Sequence, residues 1–138
     1  MKINRDKIEK FQLLTFQNSI RLYFDAIKLF RLKSYPSAYY LSTIALEELG
    51  KTVMIDNLLW YAFTERHETA LLQKYLETMY LHKSKQIHSV RDEFPKYRKL
   101  LEKIEEGQID IEKQNSLYVG LTKRSIKGKI LTPLNIDR

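Results

Sequence analysis

The stretch from Tyr35 to Lys51, YPSAYYLSTIALEELGK, constrains the fold more than any other part of the chain. Pro36 has a fixed φ angle and lacks the N–H group that a first helical turn leaves unpaired, so it favours the start of a helix. The helical pattern then continues to about Phe63 and is largely apolar on all sides. Because such a helix packs against neighbours on more than one side, we predict that it lies at the centre of a helical bundle.

The composition agrees with long helices joined by short connections. Only 4 glycines and 3 prolines occur among 138 residues, and 43% of the residues are hydrophobic. This length is typical of one domain with a core of its own, so we predict a single domain over residues 1–138. The chain has no cysteine, which excludes disulfides, thiolate metal sites and a cysteine nucleophile.

The charge and the hydropathy pattern indicate where the protein acts. A net charge of +7 leaves nucleic acid, acidic proteins and membrane surfaces open as partners. The N-terminal residues lack the apolar core of a signal peptide, and no apolar run of about 18 residues occurs. We therefore expect a cytoplasmic protein without membrane contact.

Helical periodicity predicts four to five antiparallel helices in an all-α bundle. The first helix is expected from Asp6 to about Leu32, and the short turn before Pro36 makes it an antiparallel hairpin with the second. A third helix is expected from about Glu68 to Val90. A shorter fourth helix follows Pro95 and ends at Gly107, so that the helical core covers residues 5–106, approximately.

The C-terminal segment has a different pattern. Residues 109–118 could form one more helix, whereas Leu117, Val119 and Leu121 alternate as in a strand. The following residues are basic and include Lys123 and Arg124. We predict an extended or hairpin-like basic arm, over residues 114–138 approximately, which could cover its own bundle, reach a second subunit or contact a partner.

Three segments, in this order, resemble the AbiV family of abortive infection proteins within the HEPN superfamily of helical domains. They are YPSAYYLSTIALEELGK at Tyr35–Lys51, HKSK at His82–Lys85, and KQNSLYVG at Lys113–Gly120, with Pro133 beyond. The resemblance implies an HEPN-like bundle, a homodimer, and a role in antiphage defence in which a phage-encoded protein is the trigger or the target.

The resemblance leaves the molecular activity open. Many HEPN domains are metal-independent ribonucleases that use an arginine and a histidine separated by four to six residues. In this chain His67 directly follows Arg66, and His82 has no arginine at the required distance upstream. The sequence therefore does not decide whether the protein is an enzyme.

Glu48 is the most informative ionisable residue of the first segment. Winding the helix at 100° per residue places Glu48 on an apolar stripe, where a carboxylate needs a cation or hydrogen-bond donors, and leaves Glu47 in solvent. Two interpretations remain open. Glu48 could form a buried pair that fixes helix packing, or Glu48 and His82 could exchange protons as catalytic residues.

In the catalytic interpretation Lys51 and Lys85 would bind phosphate. We predict no metal and no cofactor, because the flank of His82 carries no acidic residue and the Glu-x-x-His pairs of diiron bundles are missing. Gly50 inside the helix indicates close approach of another helix, within the bundle or across a dimer interface.

Three functional hypotheses follow. The protein could be a triggered effector that blocks phage development by acting on RNA or on translation. It could be a non-catalytic module whose basic arm, with Tyr118, Lys123 and Arg124, binds RNA, the ribosome or a phage protein. It could also be an antitoxin-like partner that restrains another protein.

Overall fold

A computed structural model describes residues 5–64, 74–75, 77–90, 96–117, 120–121 and 130–131. This part of the chain contains five helices, which we number α1 (Arg5–Arg31), α2 (Tyr35–Thr64), α3 (His82–Val90), α4 (Arg98–Glu105) and α5 (Gln108–Leu117). The predicted all-α bundle is confirmed. None of the described helices is both long enough and apolar enough to cross a membrane.

Helix α1 ends in a tight turn that reverses the chain. Lys33 adopts a left-handed conformation with a φ angle of 61°. Its N–H donates to the carbonyl of Phe30, and the N–H of Ser34 donates to the carbonyl of Leu29, both at 2.9 Å. These two bonds form a Schellman motif, which satisfies the last carbonyls of α1 before α2 begins at Tyr35.

Helices α1 and α2 form the predicted antiparallel hairpin. Their contacts run in opposite directions along the two helices, from the Gln12–Asp56 hydrogen bond of 3.0 Å to the Asn18–Glu48 hydrogen bond of 3.2 Å. The α1 residues that face α2 are mostly small or polar. Those buried in this seam are Thr15, Ser19, Leu22 and Ala26.

Helix α2 is central, as predicted, because it contacts α1, α3 and α5. One apolar cluster surrounds its C-terminal half and contains Met54, Ile55, Leu58 and Met79. A second cluster joins α3, α4 and α5 and contains Val90, Leu101, Ile104 and Ile109, with Leu46 of α2 packed against it. In the described residues the core therefore consists of two apolar clusters, and α2 belongs to the first and packs against the second.

The prediction of one continuous third helix from Glu68 to Val90 is wrong in its C-terminal half. Residues 74, 75, 77 and 78 are helical, but the backbone turns at 79–80, and α3 begins at His82. Periodicity missed this break because no glycine or proline marks it. The N-terminal part of the predicted helix and the adjacent Arg66 and His67 lie outside the described residues.

The C-terminal elements follow the sequence pattern more closely. Helix α4 ends before Gly107, whose φ angle of 73° is left-handed. The ambiguous residues 109–118 are helical as α5 up to Leu117. Beyond α5, Gly120–Leu121 (β1) pairs antiparallel with Ile130–Leu131 (β2), as in a hairpin-like arm. The predicted site residues of the arm, Tyr118, Lys123 and Arg124, lie outside the described residues.

Candidate functional site

Glu47 is the centre of a buried polar cluster formed by α2, α3 and α5. Its side chain is only 4% exposed. Four side chains approach its two carboxylate oxygens. Nζ of Lys113 lies 2.7 Å and Nε2 of Gln86 3.0 Å from Oε1, whereas Nδ1 of His82 lies 2.6 Å and Nζ of Lys85 3.5 Å from Oε2. Both carboxylate oxygens are therefore fixed by donors from other helices.

The close crossing of α2 and α3 creates this cluster. Gly50 lies one turn after Glu47, and a Cβ atom at this position would come within 1.6 Å of the carbonyl oxygen of Lys85. The absence of a side chain at Gly50 thus allows the α3 backbone to touch α2. The close approach of another helix predicted from Gly50 is confirmed, and α3 of the same chain makes it.

His82 connects the buried cluster to the protein surface. It is the first residue of α3, and its side chain is 56% exposed although Nδ1 lies next to the buried Glu47. An ionised carboxylate accepts hydrogen bonds and cannot donate them, so Nδ1 of His82 is the donor. The imidazole is therefore fixed at one nitrogen and exposed over much of its ring.

Asp110 joins the cluster through two of the side chains that contact Glu47, namely Lys113 and Gln86. Nζ of Lys113 lies 3.2 Å from Oδ1 of Asp110, which also accepts a hydrogen bond of 3.1 Å from Gln86. With Lys85, the cluster contains two carboxylates and two ammonium groups, so its formal charges balance without His82. In the described part of the chain, every fully buried side-chain nitrogen and oxygen has a hydrogen-bond partner.

These contacts determine the ionisation of Glu47 and Lys113. Burial by itself raises the pKa of Glu47, but hydrogen bonds from Lys113, His82 and Gln86 and the charge of Lys113 outweigh it, so the pKa is lowered. Burial would lower the pKa of Lys113, but the carboxylates of Glu47 and Asp110 have the larger combined effect and raise it. The pair is therefore fully ionised at neutral pH.

Three groups of the cluster are of the types that bind metal ions. Ligand atoms of Glu47, His82 and Asp110 lie within 4.8 Å of one another. However, Nζ of Lys113 lies within 3.2 Å of an oxygen of each of the two carboxylates. Since an ammonium group supplies the positive charge and three donors, these residues fit an ion-pair cluster better than a metal site.

The predicted orientation of the two adjacent glutamates is wrong. Glu47 is buried, whereas Glu48 is partly exposed and lies towards α1. Glu48 accepts hydrogen bonds from Lys51 at 2.5 Å and from Asn18 at 3.2 Å. The helical wheel selected the wrong glutamate, because α2 is apolar on several sides and both of its opposite faces are covered by other helices.

The four predicted site residues of the bundle therefore lie in two groups. Lys51 pairs with Glu48 beside α1, and His82 and Lys85 contact Glu47. Lys85 is buried against this carboxylate and is not available as a surface phosphate ligand. Glu47, Gln86, Asp110 and Lys113 were not among the predicted site residues. Glu47 and Lys113 lie within the family-like segments, and Gln86 directly follows one of them.

An apolar groove between α1 and α2, lined also by Leu100 of α4 and Ile109 of α5, is the second candidate site. It consists of two adjoining cavities of about 550 and 420 Å³ that share Tyr23, Tyr39 and Ser42. Its α1 wall includes Phe16, Ile20, Tyr23, Ile27 and Phe30. With Leu13 these form a heptad stripe, 13, 16, 20, 23, 27 and 30, in which Tyr23 is 56% and Phe30 is 61% exposed.

The α2 wall of the groove has the same spacing, with Tyr35, Ala38, Ser42, Ala45 and Leu49 at intervals of three and four residues. Stripes with this period fit the facing stripes of other helices by knobs-into-holes packing. Contiguous exposed apolar surface of this kind usually marks a protein interface. The groove is therefore a candidate protein interface.

Comparison with known proteins identifies one family. The family model HEPN_AbiV, described as AbiV, matches residues 7–137 of the chain. The match includes all three segments that resemble this family. No curated protein and no solved structure matches the chain.

Proposed function

Because the chain belongs to the AbiV family, whose function is related to abortive infection, we propose that it is a triggered effector that blocks phage development. We further propose that His82 carries its activity. The observation that supports this assignment is that the three family-like segments meet at one buried carboxylate, Glu47, beside which His82 reaches the surface.

The chemistry that His82 can perform is proton transfer. An imidazole oriented by a carboxylate is the usual general base of hydrolytic and phosphoryl-transfer sites. In RNA cleavage, Nε2 of His82 would take the proton of a ribose 2′-hydroxyl. The 2′-oxygen would then attack the adjacent phosphorus, and the 5′-oxygen would leave with a proton returned by the imidazolium. The proposed partner of His82 is Glu47, in place of Glu48.

An RNA cleavage assay tests this proposal. Purified protein, with and without extract of phage-infected cells, is incubated with total RNA and tRNA, and a parallel assay counts plaques on cells that express it. His82→Ala should abolish both RNA cleavage and phage protection. His88→Ala is the matched control, because Nδ1 of His88 pairs with the Ser84 carbonyl of its own helix, at 2.7 Å. RNA that stays intact under every condition would refute the enzymatic proposal.

The second candidate function is that of a non-catalytic binding module. In either version the apolar groove supports a homodimer in which the α1–α2 hairpins of two copies pack together as a four-helix bundle. One observation supports a second copy as the occupant. The heptad stripes of α1 and α2 line one groove, so a two-fold axis would bring the same surface of two copies face to face.

The binding version assigns the contact with RNA, the ribosome or a phage protein to the basic arm. Replacing Lys123 and Arg124 with glutamine should then abolish phage protection, whereas His82→Ala should spare it. The opposite pattern would support the enzyme and reject the binding module. An antitoxin-like role would instead be revealed by a toxin gene beside this one.

A further inference from the structure

We propose that Glu47 is a positioning residue that holds the neutral His82 side chain with its proton on Nδ1, so that the unprotonated Nε2 is the atom that meets the ligand. This inference deepens the proposed function, since it specifies the proton acceptor of the same site. It concerns the resting protein, and its test requires no substrate.

Glu47 is ionised in the folded protein. Lys113 and Gln86 both direct donors at Oε1, at 2.7 and 3.0 Å, and Lys85 adds a positive charge near Oε2. A buried carboxylate with these neighbours remains a carboxylate at neutral pH. The group that faces Nδ1 of His82 is therefore an acceptor without a proton of its own.

The tautomer of the imidazole follows from this ionisation. A neutral imidazole has one donor nitrogen and one acceptor nitrogen, and the hydrogen bond at one nitrogen sets the role of the other. Nδ1 lies 2.6 Å from Oε2 of Glu47 and must donate. Nζ of Lys113, 3.5 Å from the same nitrogen, could donate only to an unprotonated Nδ1, and that tautomer would set the nitrogen lone pair against the carboxylate oxygen 2.6 Å away.

The two side chains of the pair differ in exposure. The Glu47 side chain is 4% exposed, whereas that of His82 is 56% exposed. The imidazole is anchored at its buried nitrogen, and Nε2 lies on the other side of the ring. When Nε2 takes a proton from a ligand hydroxyl, the O–H bond breaks, the N–H bond forms, and the resulting imidazolium is stabilised by the carboxylate.

The two oxygens of Glu47 are not equivalent, and this gives a specific expectation for Glu47→Gln. Oε1 receives two hydrogen bonds, from Lys113 and Gln86, so the carbonyl oxygen of the new amide should take the Oε1 position. The amide nitrogen would then face Nδ1 of His82 as a donor. Nδ1 would have to become an acceptor, and the proton would move to Nε2.

Nitrogen-15 NMR of the full chain, above the pH range in which histidine is charged, tests the inference. The His82 signals are assigned by their loss in His82→Ala. In the wild-type protein we expect a protonated Nδ1 and an unprotonated Nε2. In Glu47→Gln the chemical shifts of the two nitrogens should exchange, while His88, bonded to the Ser84 carbonyl, keeps its pattern.

Two more variants keep the inference testable. Glu48→Gln changes the adjacent carboxylate, which contacts Lys51 and Asn18, and should leave the His82 signals unchanged. Glu47→Asp keeps the charge but withdraws it by one methylene, so the fixed tautomer should be lost even if Glu47→Gln fails to fold.

A wild-type His82 protonated on Nε2, or an unchanged tautomer in Glu47→Gln, would overturn the inference. Absence of RNA cleavage would leave it standing and would count against the proposed activity alone.

Discussion

The Nζ atom of Lys113 lies 2.7 Å from Oε1 of Glu47, although 66 positions separate the two residues in the sequence. Both side chains are buried, and the contact joins α5 to the central helix α2. His82 and Lys85 add α3 to the same carboxylate. One ionised residue therefore links three of the five described helices, and its neighbours provide matched tests.

Glu47→Gln should destabilise the protein by about 3 to 5 kcal/mol, because it leaves the buried ammonium groups of Lys85 and Lys113 without their shared counter-charge. Glu48→Gln is the control and should cost about 1 kcal/mol or less, since the Glu48–Lys51 pair is partly exposed. Urea unfolding followed by circular dichroism measures both values. Equal losses in the two variants would contradict the central role of Glu47.

The Glu47–Lys113 pair should make the stability of the protein depend on pH in both the acidic and the alkaline range. The pKa of Glu47 is lowered from 4.5, so the unfolded chain takes up this proton first as the pH falls. The stabilisation is complete above pH 4.5 and is lost as the pH falls through the lower folded value.

For Lys113, the pKa is raised above 10.5 in the folded protein. Its contribution is complete below this value and is lost as the pH rises through the folded pKa.

Unfolding free energies of the wild-type protein and of Lys113→Met, measured across the acidic pH range, test the linkage between Glu47 and Lys113. The unfolding free energy of the variant should fall less steeply with acidification than that of the wild-type protein. Identical slopes would exclude Lys113 as the cause of the lowered pKa of Glu47.

Gly50→Ala should destabilise the bundle by about 3 kcal/mol, the upper end of the usual cost of overpacking, because the added methyl group would overlap the α3 backbone at Lys85. The control is Gly107→Ala. Nothing lies within 4 Å of a Cβ atom at Gly107, and its left-handed φ angle alone should cost roughly 1 to 2 kcal/mol. Thermal unfolding of both variants gives the comparison, and a mild effect at Gly50 would contradict the close helix crossing.

Ile20→Asp should dissociate the proposed homodimer, because it places a charge in the middle of the α1 heptad stripe. Leu14→Asp is the matched control, since Leu14 is equally apolar and 52% exposed but lies outside the stripe. Light scattering after size-exclusion chromatography should give a dimer mass for the wild-type protein and for Leu14→Asp, and a monomer mass for Ile20→Asp. A monomeric wild-type protein would reject this interface.

Much of the helical architecture was predictable from local pattern. The scarcity of glycine and proline, the helical periodicity and Pro36 indicated α1 and α2 and their antiparallel packing, and α4 ends at Gly107 as expected. The break at residues 79–81 was not predictable, because no local signal accompanies it. Gly50 did indicate a close contact with another helix, since a glycine in a helix interior lowers helix stability and is favoured where another backbone needs the space.

The candidate site was predictable only as a set of segments. The three family-like segments in the sequence supply Glu47, His82, Lys85 and Lys113, and the tertiary structure brings these residues together. The sequence alone determined that α2 is apolar all round and must be packed on several sides. It could not choose between Glu47 and Glu48, because periodicity describes the faces of one helix and contains no information about which neighbour covers each face. The crossing of α3 at Gly50 and the position of Lys113 on α5 made that choice, since the buried carboxylate is the one that other helices can neutralise.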